Sequence, residues 1–128
     1  MQTTHGLVAI VEDDAPMRKF IERLLRACNY TTVAFASAEE FLHSGVADRA
    51  FGLVLDIQLA GMSGIELRRR LLATGSKLPV VFITAFDDET LQAEALALGG
   101  VDCLQKPFEA HRLTEALQRG NLDQGGRK

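Results

Sequence analysis

Asp56 ends a short apolar run, Phe51–Leu55 (FGLVL), and the chain then turns through Gly61 and Gly64 before a helical pattern begins. A single carboxylate at the C-terminal end of a buried strand stands where open α/β sheets place their ligands, so Asp56 is the first candidate for chemistry. Other apolar runs end in reactive groups too. Leu7–Val11 (LVAIV) is followed by Glu12 and Asp13, Leu78–Ile83 (LPVVFI) by Thr84, and Val101–Gln105 (VDCLQ) by Lys106. In a parallel sheet all these ends share one edge. Three carboxylates converging there repel, and a partly buried pocket cannot keep all of them ionised without compensation. A hard divalent cation removes the difficulty, and Mg²⁺ takes one or two carboxylates with water in its other positions. Lys106 adds positive charge and the Thr84 hydroxyl offers a hydrogen bond. A carboxylate surrounded by groups that stabilise oxyanions is what phosphoryl transfer requires.

Any one of these residues alone is bland. Acids at strand ends commonly cap helices, a Lys-Pro pair is commonly a turn, and a Thr closing a strand commonly satisfies its own backbone. Asp14 is expected to be a helix cap of this kind. The joint pattern on successive strands carries the reading.

The elements that must position these groups follow from periodicity. Leu7–Val11, Tyr30–Phe35, Phe51–Asp56, Leu78–Thr84 and Val101–Gln105 read as strands, their near-continuous apolar character fitting burial on both faces. After Pro16, Met17, Phe20, Ile21, Leu24, Leu25 and Cys28 recur at helical spacing, with Asn29 as a left-handed end. Ser37 with Glu40, and Ser63 with Glu66, fit capping boxes opening a short helix through Phe41 and Leu42 and a helix from Ile65 to Leu72. Arg68, Arg69 and Arg70 are expected to face outward. Gly45 opens a polar loop. Asp87 and Asp88 can cap a helix Glu89–Leu98, and a last helix runs from about Glu109 to Arg119, with Leu113 and Leu117 inward. Five strands alternating with five helices predict an α/β fold, a parallel sheet joined by right-handed crossovers. The pattern predicts one domain over 1–120 and a disordered polar tail over 121–128.

At 128 residues and 47% hydrophobic, the chain supports one core and not two. A net charge of −3 argues against a nucleic-acid surface. No apolar run reaches the length of a membrane span and no secretory leader is visible, so a soluble cytoplasmic protein is expected. Cys28 and Cys103 read as reduced small hydrophobes rather than a disulfide. His5, His43 and His111 lack metal-ligand spacing and are expected at the surface, while Phe20, Phe41, Phe82 and the methionines are expected to pack.

Four segments, VEDD (11–14), LVLDIQLAGMSG (53–64), VVFITAF (80–86) and LQKPF (104–108), give the sequence a close resemblance, over residues 6–119, to the receiver domain of bacterial two-component response regulators. The resemblance implies a flavodoxin-like (βα)5 fold of strand order 2-1-3-4-5. It implies that Asp56 accepts a phosphoryl group from a sensor histidine kinase or phosphotransfer protein. Asp13, Asp56 and the backbone carbonyl of Gln58 would hold Mg²⁺, with Glu12 acting through a bound water. Thr84 and Lys106 would contact the phosphoryl oxygens, with Lys106–Pro107 cis. The face of the fourth helix, fifth strand and fifth helix would then shift towards a downstream protein, an attached output domain or a second copy in a phosphorylation-dependent homodimer. Such a domain is a switch rather than an ordinary enzyme, limited to its own phosphorylation and dephosphorylation. The chain reads either as a stand-alone receiver or as the receiver of a longer regulator, and its segments at 37–42 and 80–86 look most like receivers attached to helix-turn-helix transcription factors.

Three positions depart from the family pattern. Cys103 replaces an aromatic switch residue, so the signal is expected to travel through backbone and Phe108 or Phe86. Ala60 replaces a common proline, and Glu12 a commoner Asp. None removes a residue needed for phosphorylation. A small aspartyl-phosphate phosphatase needs a second aspartate two residues after the nucleophile, where Gln58 stands. A flavin module needs a hydroxyl- and glycine-rich loop where EDDAP stands, and a pseudo-receiver scaffold would lack the acids or the lysine, which are all present.

Overall fold

The structure, a computed structural model, describes residues 5–85 and 87–125. The elements run β1 (Leu7–Val11), α1 (Ala15–Ala27), β2 (Thr31–Phe35), α2 (Ala38–Ser44), a 3-10 turn (Val46–Asp48), β3 (Gly52–Asp56), α3 (Gly64–Ala73), β4 (Val80–Thr84), α4 (Glu89–Ala97), β5 (Asp102–Gln105) and α5 (Ala110–Gly125). All strand pairs are parallel, in the order β2-β1-β3-β4-β5. The expected α/β architecture and the implied strand order are both present.

Strand geometry divides the core in two, because alternate side chains leave opposite faces of the sheet. Val8, Ile10, Val54, Val81 and Ile83 pack under α1 and α5, against Ile21, Leu25, Leu113 and Leu117. Ala9, Val11, Leu53, Leu55, Val80 and Phe82 pack under α2, α3 and α4, against Phe41, Leu67, Leu71 and Ala95. Both faces are covered, so β3 and β4 are buried at every position and apolar up to their last residues, Asp56 and Thr84. Phe41 is fully buried and anchors the short α2; burial of such a side chain contributes about 1.5–3 kcal/mol.

Local signals explain most boundaries. The Asp14 carboxylate accepts from Met17 N and caps α1, with Pro in the first turn. Asn29 takes φ 69°, the left-handed end expected of it. Asp88 caps α4 by accepting from Leu91 N. Each capping box forms by half. Ser37 and Ser63 accept from Glu40 N and Glu66 N, but the Glu40 carboxylate reaches back to Ala36 N and the Glu66 carboxylate turns to Arg70.

Several expectations are corrected. Gly45 leads into the 3-10 turn, which buries Val46, rather than into an irregular loop. Phe20 is 49% exposed and does not pack in the core. Arg68 points inward. The last helix passes Arg119 and continues to Gly125, so residues 121–125 are helical rather than the start of a disordered tail; 126–128 lie outside the described residues. Gly120 is no breaker here: a Cβ would lie 2.7 Å from Val101 and 2.9 Å from Pro79, so the helix uses glycine to approach the sheet closely. Asn121 Nδ2 then donates to the Phe51 carbonyl at 2.8 Å, tying α5 to the start of β3.

Candidate functional site

Strand register carries the candidate residues to one edge. Val11 pairs with Leu55, so Glu12 comes level with Asp56. Asp56 pairs with Ile83, and Thr84 pairs with Gln105, which sets Thr84 and Lys106 one step further along on the neighbouring strands. The ladder continues past the strand ends, with Ile57 N donating to Ile83 O and Lys106 N to Thr84 O. Between β1 and β3 the chain reverses its direction of travel across the sheet, which is where open α/β sheets form their crevice.

Lys106 is the centre of the cluster. Its Nζ donates to Glu12 Oε1 at 2.6 Å and to Asp56 Oδ2 at 3.2 Å. The other oxygens are engaged by backbone: Glu12 Oε2 accepts from Asp14 N, Asp56 Oδ1 from Gln58 N, and Asp13 Oδ2 from Ala60 N, each at 3.1 Å. Glu12, Asp13 and Asp56 each present an oxygen, and these lie within 4.8 Å of one another. Glu12 and Asp56 are buried, whereas Asp13 is exposed at the rim. Thr84 is 1% exposed and its hydroxyl donates to Gln58 Oε1 at 2.9 Å.

The electrostatics follow from burial against charge. Desolvation pushes the Glu12 carboxyl up to about 7, with Asp56 adding to the rise and the Lys106 hydrogen bond opposing it. Desolvation works against the Lys106 ammonium, but the Glu12 hydrogen bond and the two carboxylate charges outweigh it, and its pKa lies above the ordinary value. The donor set, three carboxylates around a small space, suits a hard oxygen-seeking divalent cation.

The loop after Asp56 is held from outside. Glu39 on α2 accepts from Met62 N at 3.1 Å, and its own backbone N–H, followed by this bond, holds its carboxyl below the usual range. Gly61 takes φ 76°, and any Cβ on Gly64 would collide with the backbone oxygen of Asp56, so both glycines of the turn are required. No sequence signal marks Glu39, whose place in the first turn of α2 reads as ordinary helix chemistry. The Ala60 and Gln58 contacts were also missed, since a backbone donor and a side-chain rotamer leave no pattern in the sequence.

Residues 8–118 match the model of a known family, whose description is the response regulator receiver domain. This chain belongs to that family. As a receiver domain it is 37% identical to nodulation protein W of Bradyrhizobium diazoefficiens, across 90% of this chain and 51% of that protein. It is 38% identical to the transcriptional regulatory protein FixJ of the same organism, across 91% of this chain and 57% of that protein. The receiver chain thus spans about half the length of these curated relatives. It superimposes on the solved structure of FixJ-N with a TM-score of 0.83 at 35% identity, covering 94% of this chain and 95% of the other.

The remaining expectations fall around this receiver pocket. Lys106–Pro107 is cis. Cys103 is half-buried and burial, with the Asp102 charge, pushes its thiol up to about 11, so it stays a neutral thiol; Cys28 is likewise free and partly buried. Phe108 packs partly against the α1/α5 side of the core, while Phe86 lies outside the described residues. His5, His43 and His111 are exposed. Among the described residues no helix is long and apolar enough to cross a membrane.

Proposed function

We propose that Asp56 is the phosphoacceptor of a cytoplasmic two-component switch. The observation that carries the reading is the Lys106 ammonium shared between Glu12 and Asp56 at the switch-point edge of the sheet. An Asp56 oxygen attacks phosphorus in the phosphohistidine of a sensor kinase or phosphotransfer protein. The O–P bond forms as the P–N bond breaks, the electron pair returning to the imidazole nitrogen, which takes up a proton. Asp13, Asp56 and the Gln58 backbone carbonyl are the residues to hold Mg²⁺, with Glu12 engaged through water. Bound there, the cation neutralises converging carboxylates and stabilises negative charge on phosphoryl oxygens. Lys106 donates to the phosphoryl oxygens in place of its present partners, and Thr84 supplies its hydroxyl.

A dianion on Asp56 changes the balance around Lys106 and Thr84, at the ends of β5 and β4, and so biases the α4–β5–α5 face. That face acts on a downstream protein, an attached output domain or a second copy. The protein's own chemistry is limited to accepting the phosphoryl group and losing it to water.

Intact mass after incubation with acetyl phosphate tests the reading. With Mg²⁺ the wild type gains one phosphoryl group, and neither Asp56→Asn nor wild type in a chelator does. Equal gain in Asp56→Asn would overturn it.

A further inference from the structure

Gln58 touches both halves of the pocket. Its backbone N–H donates to Asp56 Oδ1 at 3.1 Å, while its side-chain Oε1 accepts the Thr84 hydroxyl at 2.9 Å, spanning from the loop after β3 to the end of β4. A threonine hydroxyl carries one hydrogen. Donated to Gln58, that hydrogen is not available to an oxygen of a group on Asp56. Thr84 is 1% exposed, so it cannot turn to bulk water, whereas Gln58 is half-buried and its carbonyl can be hydrated once released.

We infer that the Gln58 side chain is a latch: it holds the Thr84 hydroxyl in the unmodified state, and an oxyanion on Asp56 must draw that hydroxyl away before Thr84 can follow it. Gln58 is thus a positioning residue acting through Thr84, and it sets how readily the pocket passes from the resting to the anion-bound arrangement. The residue that speaks against a second catalytic aspartate therefore has its own task. This inference rests on the phosphoacceptor reading and adds the regulation of that site.

The test is a double-mutant cycle on the affinity for beryllofluoride with Mg²⁺, measured by calorimetry. Gln58→Met keeps the length of the side chain and the backbone groups at that position but removes the acceptor. It is expected to bind the probe about three- to tenfold more tightly than wild type, the worth of one neutral hydrogen bond no longer broken. In a Thr84→Val background the same substitution changes affinity little, because there is no hydroxyl to release. Equal or weaker binding by Gln58→Met, with wild type binding normally, would overturn the latch and leave the phosphoacceptor reading intact. An undiminished gain in the Thr84→Val background would overturn it also, by showing that Gln58 acts on something other than Thr84. No binding by wild type would remove the phosphoacceptor reading and the latch together.

Discussion

Lys106 and Arg68 are both cations largely withdrawn from water, and the protein holds them in opposite ways. Lys106, with 13% of its side chain exposed, sits between the Glu12 and Asp56 carboxylates. Arg68, on α3 and 6% exposed, faces neutral oxygens: its guanidinium donates to Leu98 O at 2.9 Å, Leu78 O at 3.1 Å and Gly99 O at 3.3 Å. Charge raises the Lys106 pKa in spite of burial, whereas burial lowers that of Arg68. Two of the Arg68 acceptors close the C-terminal end of α4, where the helix dipole is negative, and the third precedes β4. That site stitches three elements together through neutral backbone acceptors. The Lys106 site is a balance of opposite charges, and a new anion can redistribute it. Burial of a charge therefore does not by itself mark function; the kind of partner does.

The two sites should respond oppositely to loss of their cation. Lys106→Met is expected to leave the protein folded and to slow modification by acetyl phosphate by about 10²- to 10³-fold, the loss seen when one donor to developing oxyanion charge is removed. Modification kinetics by intact mass would show it, and a wild-type rate would break the comparison. Arg68→Met is expected to do the reverse. One buried and two part-buried carbonyls lose their donor, stability falls by about 3 kcal/mol in urea unfolding, and the modification rate of the folded protein is unchanged.

A smaller effect sharpens the contrast through pH. The Glu12 carboxyl titrates near 7 in the folded protein against 4.5 as its ordinary value. Between these values the folded state keeps a proton that the unfolded state has lost, so this contribution is complete below pH 4.5 and falls away as pH rises through about 7. The Lys106 contribution runs to the alkaline side, being lost only above its ordinary value of 10.5. Urea midpoints between pH 5 and pH 8 should therefore decline more steeply in wild type than in Glu12→Gln. Parallel curves would contradict the assignment.

The same contrast explains what the sequence could reveal. Glu12, Asp13, Asp56, Thr84 and Lys106 were legible because each ends or follows an apolar run, and parallel pairing carries such ends to one edge whatever the strand order. Arg68 was not, because it stands in a run of three arginines and its acceptors lie 10 to 31 residues further along the chain. The Gln58–Thr84 bond spans 26 residues and depends on one rotamer. The end of α5 was misplaced for a different reason. Glycine commonly stops a helix, but Gly120 serves close approach to Val101 and Pro79, a tertiary constraint that overrides local propensity.

Asp56 is the residue proposed to be modified, so the most direct measurement is peptide mapping of the protein after incubation with acetyl phosphate and Mg²⁺. The expected result is a single phosphoryl group on the peptide containing Asp56, absent from Asp56→Asn. Modification found on Asp13, or retained in the Asp56→Asn protein, would contradict it.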